Sequence, residues 1–544
     1  GLSVQAMVNW KNWASSSYNR TIEPYYYGIK GGSYNPSNPT DYEIERLGTS
    51  GTDYLKTSDI SKASDQTFYL DARVNYDRQF NLHHVTGMLM YMQREYRSSV
   101  LPERNQGFSG RFTYDYGQRY LVELNFGYNG TERLAKKERF EFFPAVSLGW
   151  VISNEKFFEP MTKYIDNLKI RGSYGLVGSD ETGLSAGAQH FLYIDQVSLN
   201  NIGFTTGVDM NYTLYGPLVT NYAVVNGGWE RVKKLDIGID LELFRQLTIT
   251  ADYFNEKRYN ILLHREAWPE SLGYYTAKPW SNKGKVDNWG IELSVNWRKE
   301  FTKDLYVDFR GNFTYTENKY VNLDEPVYPY VWKTSTGKPL SRTTGYIAQG
   351  LFSSQEEIDN SPTQNLGSTV KPGDIKYRDV NGDGKIDGSD QVMISPYGTT
   401  PRIQYGLGMN VTYKKFDFGV FFNGSAKRTI MISGISPFGQ SDYNVMQFIA
   451  DDYWSESNPN PNAKYPRLGL TSSQTANNTV ASTYWMRNGN FIRFKTLELG
   501  YKFKYGRVYL NGDNIAVFSP FKLWDPELSW NAYPLQRTFN IGVQ

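Results

Sequence analysis

The feature of this sequence that most constrains its fold is a strict two-residue alternation of apolar and polar side chains. In residues 235–243 the apolar positions are Leu235, Ile237, Ile239, Leu241 and Leu243, and the residues between them are Asp236, Gly238, Asp240 and Glu242. A period of two is the geometry of a β-strand, whose side chains point alternately to opposite faces. Each such strand therefore meets an apolar environment on one side and water on the other.

About sixteen segments show this alternation, and the connections between them are alternately short and long. The longest connections are 15–66, 177–230, 317–400 and 428–490, whereas turns such as 414–415 contain about two residues. Bacterial membrane barrels place short turns on the periplasmic side and long loops outside. The sequence thus predicts an all-β fold, an antiparallel transmembrane β-barrel with long extracellular loops and short periplasmic turns.

The alternation also assigns each side chain to one face of the barrel wall. We expect Leu235, Ile237, Leu241, Leu293, Trp297, Leu407 and Val411 to face lipid, and Asp240, Glu292, Arg310 and Asn410 to face the lumen. A slip of one residue in register would reverse every one of these assignments. We also expect an unpaired edge beside the first strand, since direct pairing of the first and last strands would instead favour a complete porin.

The composition supports this class and excludes several others. Aromatic residues make up 16% of the 544 residues, and Tyr and Trp are favoured at lipid–water interfaces. The chain has no Cys and a net charge of +2, which removes thiol chemistry and argues against nucleic-acid binding. No apolar run approaches the ~20 residues that a membrane helix needs, so any crossing must be by strands. No enzyme motif is present, and we expect the protein not to be an enzyme.

Residues 379–390, in the longest loop, read DVNGDGKIDGSD and match a calcium-binding loop of the EF-hand type up to its last position. The expected ligands are Asp379, Asn381, Asp383, Lys385 through its backbone carbonyl, Asp387 and Asp390. The four carboxylates repel one another unless a cation gathers them. Because Asp390 replaces the usual bidentate Glu, we expect a weak structural calcium site, with a Kd of about 10⁻⁴–10⁻³ M. The alternative is a metal-free run of Asx turns.

Several longer motifs occur in a fixed order along the chain. They include FFPAVSLGWVISNEKFF (142–158), WERVKKLDIGIDLELF (229–244), KPGDIKYRDVNGDGKIDGSDQVMI (371–394) and RNGNFIRFKTLELGYKF (487–503). Together these motifs resemble the barrel of SusC/RagA-like TonB-dependent transporters of Bacteroidota outer membranes. The resemblance covers nearly the whole chain.

This resemblance implies a barrel of about 22 strands that is closed by an N-terminal plug domain. Residues 1–544 would form the C-terminal part of that barrel domain, and the plug and its TonB box would lie outside this chain. The resemblance further implies an outer-membrane location in a Gram-negative, Bacteroidota-like bacterium. It implies as partners a SusD-like surface lipoprotein and, through the missing N-terminal part, TonB.

The function implied is the active import of oligomeric nutrients, glycans or peptides, across the outer membrane. Two other functions remain open at this point: a passive 16-stranded diffusion porin, and a SusC-like scaffold in a surface protein assembly. Aromatic residues in the predicted loops, at 25–27, 274–275, 328, 330 and 332, could stack on sugar rings or pack against protein. The sequence does not choose between those two roles.

Overall fold

A computed structural model describes residues 1–98, 102–182, 192–224, 227–272, 278–432, 445–469, 471–529 and 532–544. Its main feature is one antiparallel sheet of 16 strands, in which every strand pairs with the next one along the chain. This sheet, here called the wall, consists of β1 (Leu2–Ser17), β2 (Ser61–Phe80), β3 (His83–Arg97), β4 (Glu103–Tyr116), β5 (Tyr120–Thr131), β6 (Phe140–Val151), β7 (Ile165–Ser179), β8 (Glu230–Leu243), β9 (Leu247–His264), β10 (Trp280–Thr302), β11 (Leu305–Asn322), β12 (Ile403–Tyr413), β13 (Phe416–Ala426), β14 (Phe491–Phe503), β15 (Gly506–Phe518) and β16 (Thr538–Val543). The predicted all-β fold, the strand count and the antiparallel order are confirmed.

At one end of the wall the connections are tight turns, except the one between β6 and β7, whereas at the other end most connections are long and only those between β3 and β4 and between β5 and β6 are short. Four of the tight turns contain non-glycine residues in the left-handed region: Asn81 (φ 54°), Gln118 (φ 55°), Phe244 and Arg245 (both φ 55°), and Lys414 (φ 52°). That conformation suits the twist of a tight hairpin. The connection between β6 and β7 contains the 3₁₀ segments Ile152–Asn154 and Lys156–Met161.

Several wall strands are longer than the alternation indicated. Apolar and polar residues alternate over 285–298, whereas the strand spans Trp280–Thr302, 23 residues, and a tilted strand needs only about 9–11 residues to cross a bilayer. Strands of this length extend beyond the hydrocarbon layer, where water removes the requirement for one apolar face. The strict alternation therefore marks only the central part of each strand.

The register brings side chains of similar polarity together on each face of the wall. On one face Ile237 pairs with Tyr253, Leu241 with Ile249 and Trp297 with Leu247, and on the other Lys234 pairs with Glu256, Glu292 with Thr314 and Arg310 with Asn296. The apolar side chains of the first face, such as Ile237 and Leu293, are exposed because no layer of protein covers them. Exposed apolar strands of this kind are what a lipid-facing surface requires.

The two ends of the wall are unpaired edges. In the described residues β1 pairs only with β2, and β16 pairs only with β15. The edge strands carry exposed apolar side chains, including Val4 and Ile541. The predicted open edge beside the first strand is thus confirmed, and the direct pairing of first and last strands that a complete porin would need is not found.

The long connections contain short elements of their own. The strands are Arg20–Thr21, Tyr26–Ile29, Ile44–Leu47, Lys56–Thr57, Gln196–Thr206, Tyr212–Asn221, Thr343–Gly345, Ala348–Leu351, Thr363–Gln364, Ile375–Tyr377, Lys385–Ile386, Val392–Ser395, Thr429–Met431 and Met486–Asn488. The helices are Gln355–Asp359, Gln447–Ala450 and Ser472–Thr479, with 3₁₀ segments at Glu270–Leu272, Val331–Lys333 and Gly388–Asp390. In the described part of the chain, no helix has the length and apolar character needed to span a membrane.

Candidate functional site

The polar face of the wall curves around a recess of about 820 Å³. Residues of seven consecutive strands, β10 to β16, line this single recess, so the sheet is concave on its polar side. Arg310 and Asn410 line the recess, as the sequence predicted, whereas Leu293 and Leu407 are exposed on the opposite face. Val411, predicted to face lipid, also borders the recess beside Asn410. The concave face is therefore the lumen side of the wall.

Ion pairs cross from strand to strand on this inner face. Arg171 of β7 contacts three carboxylates, Asp236 at 3.2 Å, Asp240 at 3.2 Å and Asp252 at 2.6 Å. On β11 the Asp308 carboxylate contacts Arg298 at 2.8 Å and Arg310 at 3.3 Å. Two further contacts are those of Arg231 with Glu141, at 2.7 Å, and of Arg507 with both Asp417 and Glu498. Partly solvated pairs like these add little stability individually. Their main effect is to neutralise the inner wall and to fix its register.

Between the ion pairs, the recess is rich in carboxamide side chains. The Asn residues that line it are Asn296, Asn312, Asn410, Asn511 and Asn540. Each carboxamide offers both a hydrogen-bond donor and an acceptor. Carboxamides in this arrangement can form hydrogen bonds with the hydroxyl groups or peptide groups of a ligand.

A second region with a defined core lies among the long connections. We call it the loop domain; it comprises the described residues of 323–402, 427–490 and 519–537. Its buried apolar cluster consists of Tyr346, Leu351, Ile375, Tyr377, Ile386, Ile430, Ile432, Ile449, Trp454, Ala463, Tyr465, Trp485 and Phe521. The sequence pattern predicted these segments only as long loops. They instead share one hydrophobic core, which fixes their relative positions.

A buried polar network lies inside this core. Asp374 is completely buried; its carboxylate lies 2.6 Å from Arg467 and accepts hydrogen bonds from the Lys371 amide at 2.9 Å and from Asn478 Nδ2 at 2.7 Å. Burial raises the pKa of the Asp374 carboxyl, and the Arg467 guanidinium opposes that shift. Asn477, also fully buried, donates from Nδ2 to the Ile375 carbonyl at 2.9 Å. The network joins segments about 100 residues apart, and no local pattern could have revealed it.

The predicted calcium loop lies at the edge of the loop domain. Asp379 accepts the amides of Gly382 at 2.6 Å and Gly384 at 2.8 Å, and the other acids of the loop bind backbone amides in the same way. The further pairs are Asn381 Oδ1 with the Asp383 amide, Asp383 with the Lys385 amide, Asp387 with the Ser389 amide, and the buried Asp390 with the amides of Val380 and Asp387. Hydrogen bonding to Ser389 lowers the pKa of the Asp387 carboxyl. These acids are hydrogen-bonded to the loop backbone, although Asp383 is exposed to solvent, and no group of three or more Asp, Glu, His or Cys in the described residues has a metal-binding arrangement.

The aromatic residues singled out from the sequence occupy different environments. Tyr26 and Tyr27 are exposed, whereas Tyr330 stacks on Trp332 with ring centroids 4.8 Å apart and planes at 12°. Trp332 Nε1 also donates to the Ser389 carbonyl at 2.8 Å, which ties this pair to the calcium-type loop. Residues 274 and 275 lie outside the described residues. The stacked pair has a role in the packing of the loop domain, and the exposed tyrosines are accessible to a partner or ligand.

Comparison with known proteins identifies the wall. A family model described as "TonB dependent receptor-like, beta-barrel" matches residues 4–515. The chain is 27% identical over 465 residues to the TonB-dependent receptor SusC of Bacteroides thetaiotaomicron, covering 80% of this chain and 43% of that protein. It is 25% identical over 474 residues to the TonB-dependent receptor P3 of Formosa agariphila, covering 80% and 44%. The chain thus spans less than half the length of these relatives.

Among solved structures, the RagAB peptide transporter is similar in fold. The TM-score is 0.68 at 18% sequence identity, and the match covers 100% of this chain and 59% of that one. At this sequence identity, the structural similarity shows only that the two proteins share the fold, that is, the arrangement of their strands. The resemblance deduced from the sequence motifs is confirmed by these three comparisons.

Proposed function

This chain belongs to the TonB-dependent receptor-like β-barrel family, and from that premise we propose that it is part of an importer of oligomeric nutrients. Members of the family are outer-membrane transport proteins, so the expected location is confirmed, as is the expectation that the protein is not an enzyme. In the proposal, glycans or peptides cross the barrel actively, driven by TonB through a plug that closes the lumen. The observation that carries it is the concave polar wall with an exposed apolar exterior.

One structural neighbour supports peptides as a substrate class, because it is a peptide transporter, RagAB. The Asn residues of the inner wall support an oligomer that presents hydroxyl or amide groups, since carboxamides bind both. The open edges of the 16-stranded sheet support its completion by further strands, because lipid does not tolerate unpaired backbone groups.

The import proposal is tested by deleting the gene in the source bacterium and growing the mutant on single glycans or peptides. We expect the mutant to lose growth on one class of substrate and the reintroduced gene to restore it. Removal of TonB should abolish the restored growth. Unchanged uptake of every class would point to the scaffold function. A purified barrel that conducts freely in a planar bilayer without TonB would point to the porin.

We propose a SusD-like surface lipoprotein as the partner that covers the long connections. The hairpin formed by Gln196–Thr206 and Tyr212–Asn221 supports this, because it exposes large apolar side chains, among them Leu199, Phe204 and Val208. An isolated two-stranded hairpin is marginally stable in water, and an apolar surface of this size marks an interaction site.

Co-purification in mild detergent tests the partner. Phe204→Ser should release the lipoprotein, whereas Phe157→Ser should not, since Phe157 is equally exposed but lies among the short turns at the opposite end of the wall. A complex that survives Phe204→Ser, or that dissociates equally with Phe157→Ser, would contradict the assignment of this surface.

We also propose that the loop 379–390 binds calcium. Hydrogen bonds from backbone amides to the acidic side chains hold the loop in a curved conformation, which is compatible with a 12-residue calcium loop. Asp379, Asn381, Asp383, Asp387 and Asp390 would supply side-chain oxygens and Lys385 its carbonyl. Because these side chains do not yet converge, binding requires a local rearrangement, in keeping with weak affinity.

A further inference from the structure

We propose that a recess on the loop domain binds the carboxylate end of an oligomeric ligand. The recess has a volume of about 600 Å³ and lies between residues 463–465, 484–487 and 520–523. This inference rests on the proposed importer function, because it specifies the chemistry of the imported oligomer. The recess is separate from the inner-wall recess, with which it shares no residue.

The floor of the recess is rigid and apolar. Tyr465 and Phe521, both buried, belong to the core of the loop domain, and Leu523 packs against the same core. The Tyr484 hydroxyl donates to the Ala463 carbonyl at 3.2 Å, which fixes the orientation of its ring. Ligand sites are typically recesses of about 300–1,000 Å³ with apolar walls and a few placed polar groups. This recess meets that description.

The charged side chains that line the recess are all cationic: Lys464, Arg487 and Lys522. Lys464 is already paired with Asp452 at 3.3 Å and is largely exposed. Within the described residues, neither Arg487 nor Lys522 forms an ion pair with an acidic side chain. The recess therefore presents two positive charges that are not ion-paired in the described residues, beside an apolar surface, and an anion is the group it is suited to bind.

The position of Arg487 favours a planar carboxylate. Its Nη1 donates to two main-chain carbonyls, those of Tyr484 at 2.7 Å and Met486 at 3.0 Å. These bonds hold the guanidinium in place, while its other N–H groups remain available to a ligand. The guanidinium fork matches a carboxylate in a two-point contact, and a charge-assisted bond of this kind is stronger than a neutral one. Lys522 would add a second charge at the opposite wall.

The segment that carries Lys522 is anchored to the wall. Arg493 of β14, 4% exposed, binds Asp525 at 2.7 Å and Glu527 at 2.7 Å, both on the connection that follows Lys522. Since this connection is fixed before any ligand arrives, the recess is preorganised and less conformational entropy is lost on binding.

The test measures binding to the intact purified protein in detergent by calorimetry. The probes are N-acetyl-Ala-Ala-Leu with a free carboxylate and the same peptide as its amide, and trigalacturonate and its methyl ester. These two pairs distinguish a peptide terminus from a uronic acid as the source of the carboxylate. At least one acid should bind roughly ten- to a hundredfold more tightly than its neutral partner.

Arg487→Gln should abolish that preference, and the exposed Lys522→Gln should reduce it without endangering the fold. Arg378→Gln is the matched control, because Arg378 is exposed on the loop domain and does not line the recess. Equal affinity for acid and neutral probes, no binding of any probe, or an equal loss with Arg378→Gln would overturn the proposal. The calorimetric assay measures ligand binding and needs no TonB. A failure of this proposal can therefore be distinguished from a failure of the import proposal.

Discussion

The wall and the loop domain are stabilised in opposite ways. In the wall, neighbouring strands satisfy each other's backbone groups, apolar side chains point outward, and the concave side is polar. In the loop domain, apolar side chains such as Trp485 and Ile375 point inward around a buried network. The wall therefore depends on the surrounding lipid for its stability, whereas the loop domain has a hydrophobic core of the kind found in water-soluble proteins.

This difference predicts that the two regions respond to different mutations. The largest effect is expected for Trp485→Ala, since Trp485 is fully buried and its Nε1 donates to the Asn478 carbonyl at 2.7 Å. Truncation of a buried aromatic costs about 3–5 kcal/mol. Hydrogen exchange should show the loop domain opening while β2 to β15 stay protected. Equal loss of protection in both regions would contradict the claim that the wall and the loop domain are stabilised independently.

The second largest effect is expected for a substitution that changes the stability of the wall alone. Leu293→Arg places a charge on the exposed apolar face and should destabilise the folded barrel by about 2–4 kcal/mol near the bilayer midplane. The adjacent Ser294→Arg enters the polar recess and should cost much less. Urea titration of protein refolded in liposomes, with tryptophan fluorescence as the signal, measures both. A reversed order would mean that the register is shifted by one residue.

Calcium should act on the loop domain and leave the wall unchanged. At ten to a hundred times the Kd, binding would stabilise the loop domain by about 1–3 kcal/mol. Terbium luminescence, excited through Trp332, would report the ion, and Asp379→Asn combined with Asp383→Asn should remove the signal. Luminescence that persists in the double variant would exclude this loop as the site.

The smallest expected effect is a dependence on pH. Glu357 accepts hydrogen bonds from the amide and hydroxyl of Ser353, and these lower the pKa of its carboxyl from 4.5 to about 2. A lowered folded-state pKa stabilises the fold above the unfolded value, and this contribution is lost as the pH falls from 4.5 towards 2. Because the group is partly solvated, we expect about 1 kcal/mol. Exchange of residues 353–361, corrected for intrinsic rates, should rise over that window, and Glu357→Gln should remove the rise.

The wall could be predicted from the sequence because alternation is a local property. The turn predicted at 414–415 lies between Ile403–Tyr413 and the next strand at Phe416, as the structure shows. The loop domain could not be predicted, since Tyr377, Trp485 and Phe521 meet across more than 100 residues with no repeating pattern. Asp374 and Arg467 likewise carry no local signal of their pairing. The acidic loop was recognised because its pattern is confined to twelve residues, and its metal remains a proposal.

The three-part core of the loop domain also sets an order of assembly. Its segments follow β11, β13 and β15, so each reaches the outer side of the membrane only when the strands that flank it have inserted. The core is complete only when the third segment, which carries Phe521, is also in place. Contacts this distant in sequence form slowly, so the loop domain closes only on barrels whose insertion is nearly complete. Protease resistance of this domain therefore distinguishes finished molecules from those stalled during export.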